Sequence, residues 1–323
     1  MTEPAFEQID DGLYLIDTGL YRPHHTASYL LRHGDELAFF DTGAANNVPA
    51  LLETTRRIGL GPEAVRYVMP THVHLDHAGG AGALMRACPN ATLVTHHKGV
   101  PHLLDPSKLQ QGAMAVYGEA EFLRVFGQLE PVAEARVASA YDGQLFELGG
   151  HEILFIDTPG HANHHGCFLD TATRTLFTGD TFGLSYREFD TDAGPWVIAT
   201  TTPVAFDPEA WQESLTRMMA LAPAAVCPTH YGRLTDPAAL APMLRASIQA
   251  HMAIALEEEP RGEPARGERL KAAVDALLVG ESLRRAPAIG EARARELLAL
   301  DIELNAQGLH VWLKRRAKRA AAN

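Results

Sequence analysis

Between residues 70 and 80 the chain reads Pro70-Thr71-His72-Val73-His74-Leu75-Asp76-His77-Ala78-Gly79-Gly80. Three histidines and one aspartate fall within six residues, a density of ligand-type side chains that a polar surface loop does not need and a metal centre does. A short apolar strand, Val65-Arg66-Tyr67-Val68-Met69, runs into Pro70. In extended chain, residues two apart point the same way, so His72 and His74 can converge on one ion. Asp76 and His77 follow at the turn and can face a second ion beside the first. Gly79 and Gly80 permit a tight reversal into a helix expected to run to about Ala87. Imidazole with carboxylate is the ligand chemistry of zinc, iron or manganese, not of calcium or magnesium.

Four residues do not saturate two metals, so the chain should supply partners elsewhere. Three positions at strand ends qualify. His161 stands in Thr158-Pro159-Gly160-His161, Asp180 in Phe177-Thr178-Gly179-Asp180, and His230 in Cys227-Pro228-Thr229-His230-Tyr231-Gly232. Singly they read as ordinary turn residues; together with the first four they complete two ligand sets.

The surrounding pattern is a scaffold for such loops. Short strands with turn punctuation fill the first forty residues, and helical spacing covers 48–59. Strands at Val65–Met69 and Ala91–Thr95 follow, then a mainly helical and looped stretch at 96–130. A second strand series is expected from about residue 137, with turns at Asp142-Gly143 and Gly149-Gly150. It includes a hairpin from Cys167-Phe168-Leu169 to Thr175-Leu176-Phe177 and ends in the strand Ala225-Val226-Cys227. Two packed sheets with helices outside fit this order. After about residue 236 the strands stop. Residues 237–256 and 268–319 are rich in strong helix formers, separated by a polar, proline-broken linker at 257–264.

Composition narrows the function. The formal net charge of −12 disfavours a nucleic-acid binder. The basic tail, Lys314, Arg315, Arg316, Lys318 and Arg319, reads first as cations complementing a helix end, and second as a partner contact. Three cysteines without CxxC spacing suggest buried thiols rather than a disulfide framework. The acidic start has no apolar signal segment, and no run is long enough to span a bilayer, so a cytoplasmic protein without membrane attachment is expected.

On these residues the chain resembles the metallo-β-lactamase superfamily over nearly its whole length, with a complete His-x-His-x-Asp-His motif. Within it the chain is most similar to a subgroup that includes the quinolone signal response thioesterase. That likeness rests on Val100-Pro101-His102-Leu103-Leu104-Asp105-Pro106-Ser107-Lys108-Leu109, Gly160-His161-Ala162-Asn163-His164-His165 and Leu304-Asn305-Ala306-Gln307-Gly308-Leu309. The resemblance implies an α/β fold: an αββα sandwich of two mixed β-sheets with outer helices. It also implies a catalytic domain over 1–236 and a C-terminal helical region over 237–323 that caps the active-site side. His72, His74 and His161 would hold one divalent ion, Asp76, His77 and His230 the other, and Asp180 would bridge them. Zinc is the first expectation, with iron or manganese as alternatives. Asp41, in Phe40-Asp41-Thr42-Gly43, resembles an aspartate that orients a ligand histidine.

The implied chemistry is hydrolysis of a thioester, ester or lactone of a small or medium acyl substrate by a hydroxide shared between the metals. Asp76 could also accept a proton. Two other classes stay open: a regulatory or interaction protein acting through its helices, and a diiron oxygen or redox protein. His24, His25, His96 and His97 read as ordinary, His164 and His165 as supporting or substrate contacts. The aromatic, proline-rich segment 182–206 reads as a substrate-covering loop flanking the site, and a homodimer is the default assembly.

Overall fold

The computed structural model describes residues 5–203 and 205–321, and the chain divides into two compact units, each discontinuous in sequence. The first comprises Met1–Asp157, His164–Gly179 and Pro223–Thr235; the second comprises Thr158–Asn163, Asp180–Ala222 and Asp236–Asn323.

The first unit holds both sheets. One has seven strands in chain order: β1 (Phe6–Asp10), β2 (Leu13–Asp17), β3 (Ala27–His33), β4 (Glu36–Phe40), β5 (Val65–Met69), β6 (Thr92–His96) and β7 (Val137–Ala140). β1 to β4 form an antiparallel meander; β4 to β7 run parallel. The parallel strands are joined through helices α1 (Val48–Arg57), α2 (Leu75–Ala78) with α3 (Ala81–Ala87), and α4 (Val100–Leu104), α5 (Ser107–Tyr117) and α6 (Glu119–Val125). A parallel pair requires such a crossover. The second sheet lies in the order β13-β12-β11-β10-β9-β8, with β8 (Leu145–Leu148), β9 (His151–Asp157), β10 (Gly166–Asp170), β11 (Thr175–Gly179), β12 (Ala225–Pro228) and β13 (Leu234–Thr235). It is antiparallel except for β11 against β12. Both sheets are mixed, as expected.

Strand periodicity sorts the side chains into two cores. Leu30 and Phe39 face Leu51 of α1 and Leu84 and Met85 of α3. Their neighbours Tyr29, Leu31 and Phe40 face the second sheet, meeting Phe155, Phe168 and Phe177. Phe40 and Phe177 stack with ring centroids 3.6 Å apart. All three cysteines are buried, and burial pushes the Cys88 thiol up to about 12. One expectation needs correction: β7 does not begin the second sheet but closes the edge of the first, parallel to β6. Its backbone pairs with a strand 44 residues earlier, Val137 opposite Leu93, and strand propensity carries no information about which sheet a strand joins.

The second unit is mainly helical: α7 (Pro208–Ala220), α8 (Pro237–Glu258), α9 (Arg266–Arg285) and α10 (Glu291–Ala320). Asp207 caps α7 and Asp236 caps α8, each accepting a backbone N–H three residues on. Leu270, Val274 and Leu278 of α9 and Leu298, Ile302 and Leu309 of α10 are buried at near-helical spacing. The stretch 268–319, rich in helix formers, holds two helices, broken at Ala286-Pro287-Ala288-Ile289-Gly290. The supposed linker at 257–264 is a tight, bonded corner. Buried Glu258 accepts from Arg261 at 2.7 Å and from Arg269 at 2.6 Å.

The segment 182–206 is not an open lid. Leu184 and Ile198 pair across it, and Phe182, Phe189, Trp196 and Phe206 are all buried. Asn305 of α10 anchors it, accepting from Thr201 N–H at 2.5 Å and donating to the Ala199 carbonyl at 3.3 Å. Gly308, one turn on, makes this approach possible: a Cβ there would fall on the Thr201 carbonyl. No helix among the described residues is long and apolar enough to cross a membrane.

Candidate metal centre

β5 ends at Met69, and the chain leaves it extended through His72 and His74 before turning into the single turn of α2. Asp76 and His77, expected at a turn, therefore sit in a single helical turn. Ligand-type atoms of Asp76, His77 and His230 lie within 4.8 Å of one another. His77 is wholly buried, His230 nearly so, and the Asp76 side chain is 27% exposed. His230 reaches this group from the loop after β12.

The outer nitrogens of these imidazoles are already committed. His77 Nδ1 donates to Asp41 Oδ2 at 2.7 Å. His230 Nδ1 donates to the His25 carbonyl at 2.9 Å. Each Nε2 is thereby left as a lone pair in the neutral ring. His230 Nε2 lies 3.1 Å, and His77 Nε2 3.6 Å, from Asp76 Oδ2. Three acceptors thus face one another, an arrangement that calls for positive charge between them. A divalent cation with an imidazole and carboxylate preference fits that donor set.

His72 and His74 form a second group in the same unit, with His72 Nε2 and His74 Nδ1 2.8 Å apart. The buried His165 ring stacks on His72 at 4.7 Å, and His72 Nδ1 lies 3.2 Å from Thr71 Oγ1. His164 is half-buried, 5.9 Å in ring centroid from His74 and 6.0 Å from His102. In the second unit, His161 and Asp180 pair in the same manner as the first cluster. His161 Nδ1 donates to the Thr200 carbonyl at 3.0 Å, which turns Nε2 onto Asp180 Oδ2 at 3.4 Å. Asp180 follows directly on Gly179, whose φ of +48° only glycine adopts freely; a Cβ there would strike Thr71 Oγ1.

Asp41 is the organising group behind the first cluster. It is 1% exposed and accepts from Thr71 N–H at 2.7 Å, Thr71 Oγ1 at 3.0 Å, His77 Nδ1 at 2.7 Å and Thr229 Oγ1 at 2.6 Å. Its backbone is left-handed, φ 55°, a conformation that aspartate tolerates better than most residues. Reading residue types did not find Thr71, Thr229 or the carbonyls of His25 and Thr200. Carbonyls are invisible to residue type, and His25, passed over as ordinary, contributes through its backbone. Phe182, Tyr186 and Trp196, expected to flank the site, are buried, and the Tyr186 hydroxyl bonds Asp301 at 3.1 Å.

With this geometry established, comparison with known proteins decides the family. The profile of the metallo-β-lactamase superfamily matches residues 21–230. The chain belongs to the metallo-β-lactamase superfamily. Among curated superfamily relatives, the metallo-β-lactamase fold-containing protein ST1585 of Sulfurisphaera tokodaii is 29% identical over 232 residues, covering 70% of this chain and 80% of that protein. An atrochrysone carboxyl ACP thioesterase of Aspergillus fumigatus is 29% identical over 160 residues, 48% of this chain and 39% of the relative. The chain spans about two fifths of that fungal protein's length. Among solved structures, ST1585 from Sulfolobus tokodaii superposes with a TM-score of 0.58 at 27% identity, covering 88% of this chain and 98% of that one. A metallo-β-lactamase family protein from Thermus thermophilus gives 0.62 at 21% identity over 96% and 95%. The superfamily's alternation of two mixed sheets with helices is the fold described above, with a helical C-terminal region added.

Proposed function

We propose that this protein is a dinuclear metal-dependent hydrolase that cleaves a thioester, ester or lactone of a small or medium acyl substrate. One observation carries the reading: the Nδ1 atoms of His77, His230 and His161 each lie on a fixed acceptor, which turns each Nε2 toward a carboxylate. Under this proposal His72, His74 and His161 would hold one divalent ion, Asp76, His77 and His230 a second, and Asp180 would be the ligand shared between them. Bound there, two divalent ions, zinc before iron or manganese, would supply Lewis acidity and a hydroxide at neutral pH.

The chain's own groups do the rest. Asp41 and the His25 carbonyl keep the imidazoles in one tautomer, so the ligand atoms need no proton transfer before binding. Asp76 is the only one of the two carboxylate ligands with substantial exposure, its side chain 27% accessible against 6% for Asp180. The proposal gives it the role of accepting a proton and returning it to a leaving thiol or alcohol. The thioester preference rests on relatives named as acyl carrier protein thioesterases, and they support it only as a class.

The test is metal analysis with a panel of acyl thioesters, esters and lactones. His74→Ala and Asp180→Asn should lose at least about 100-fold in kcat/KM, with circular dichroism unchanged. Undiminished hydrolysis in both variants overturns the proposal. So does reversible iron redox chemistry with no hydrolysis of any panel member.

A further inference from the structure

The C-terminal end of α10 does more than finish a helix. In the second unit, Trp312, Arg315, Arg316 and Arg319 line a cleft of about 420 Å³ together with Glu209 of α7 and Glu259 beyond α8. Ligand sites fall in this size range. Three arginines against two glutamates leave one positive charge in excess, within a chain of net charge −12. The arginines are not equivalent. Arg316 is held by Glu259 at 3.0 Å, with its guanidinium 5.7 Å from the Trp312 ring centroid. Arg315 donates to the Phe206 carbonyl at 3.2 Å. The Arg319 side chain has no ion-pair partner among the described residues. Basic residues at a helix end complement its dipole. That role requires neither a cleft nor an arginine set over an indole.

Within the same unit a series of ring contacts bounds the distance from this cleft to a candidate metal ligand. Trp312 meets Phe206, Phe206 meets Trp211, and Trp211 meets His161, with ring centroids 6.0, 6.2 and 6.0 Å apart, so His161 lies at most about 18 Å from Trp312. That is the span of about five extended residues, the reach of a flexible thiol arm.

We infer that the cleft is a phosphate site, and that it seats the phosphorylated end of the carrier from which the acyl group is cleaved. Planar guanidinium forks suit phosphate oxygens, and a pre-positioned Arg316 loses little freedom on binding. This rests on the hydrolase reading above for its substrate, but not for its binding.

Two arms test it. In the first, tryptophan fluorescence follows titration with adenosine 3′,5′-bisphosphate and with inorganic pyrophosphate, without turnover. The intact protein should bind; Arg316→Gln/Arg319→Gln should weaken binding at least 10-fold, and Glu209→Gln should tighten it at least twofold. In the second, hydrolysis of acyl-coenzyme A is compared with that of the same acyl group on N-acetylcysteamine, which has no phosphate. The double variant should raise KM at least 10-fold for the first with kcat unchanged, and leave the second untouched. Equal probe binding in the intact protein and the double variant, or none at millimolar concentration, overturns the site. Probe binding with no preference between the two carriers overturns its assignment to the substrate, leaving a site for free phosphate compounds. If neither thioester is cleaved while the binding arm behaves as stated, it is the hydrolase reading that falls.

Discussion

Asp41→Asn separates two jobs that one carboxylate performs. Asparagine keeps Oδ1 for the Thr71 N–H and tolerates the left-handed backbone, so neither turn geometry nor volume changes. Placed at Oδ2, however, the amide nitrogen faces the donors His77 Nδ1 and Thr229 Oγ1. A hydrogen bond to a charged group contributes about 1.5–3 kcal/mol. The threonine hydroxyl can rotate and accept, whereas His77 can adapt only by moving its proton to Nε2. The net cost to the metal-free protein should be about 2–4 kcal/mol. The tautomer change carries a second consequence: His77 Nε2 then bears a hydrogen and no longer ligates. Zinc affinity should fall about 10–100-fold. Urea unfolding of the chelated protein measures the first effect, and competition with a chromogenic chelator the second. A variant within about 0.5 kcal/mol of the parent, binding zinc equally well, would refute both the charge-assisted network and the tautomer argument.

Three further outcomes follow from other regions. Burial holds the His251 imidazole down to about 4, against 6.5 ordinarily, so the unfolded chain takes up the proton first. Stability from this group should be complete above about pH 6.5 and drain as pH falls toward 4, by about 3 kcal/mol; His251→Gln should flatten that part of a pH series of unfolding midpoints. Asn305→Ala strands the Thr201 N–H and the Ala199 carbonyl, and should cost about 2–4 kcal/mol in denaturant unfolding. Adding zinc at about 100 times its Kd to chelated protein should stabilise it by about 2.7 kcal/mol, read as a rise in thermal midpoint; an unchanged midpoint would argue against a structural ion at the cluster.

Much of this was legible in the residues because metal chemistry and strand periodicity are both local. The loop 70–80 announced its ligands by type. The short apolar runs with turn punctuation announced strands, and the order of strands and helices announced two packed sheets. What escaped notice is non-local. Whether Val137–Ala140 joins the first sheet or the second depends on pairing with β6, which no window around residue 137 contains. The aromatics of 182–206 looked like a rim because loops near sites usually are one; Asn305, a hundred residues on, draws the segment inward. Thr200 and His25 act through carbonyls that every residue has. Gly308 was legible only as part of the Leu304–Leu309 motif; that it makes room for the Thr201 carbonyl depends on a contact more than a hundred residues away in sequence.

The interleaving of the two units bears on how the protein is made. The sheets of the first unit are incomplete until residue 235, the end of β13, has been synthesised. By then residues 158–163 and 180–222 have already emerged, while the helices α8 to α10 that share their unit have not. At ordinary elongation rates the 88 residues 236–323, which carry α8 to α10, take about 4–18 s to appear. For that interval Phe182, Phe189, Trp196 and Phe206 have no completed core to enter. A nascent chain stalled near residue 236 should therefore be a far better chaperone client than one that carries α8 to α10. Truncations that remove α8 to α10 should be lost to aggregation, rather than yield a smaller enzyme.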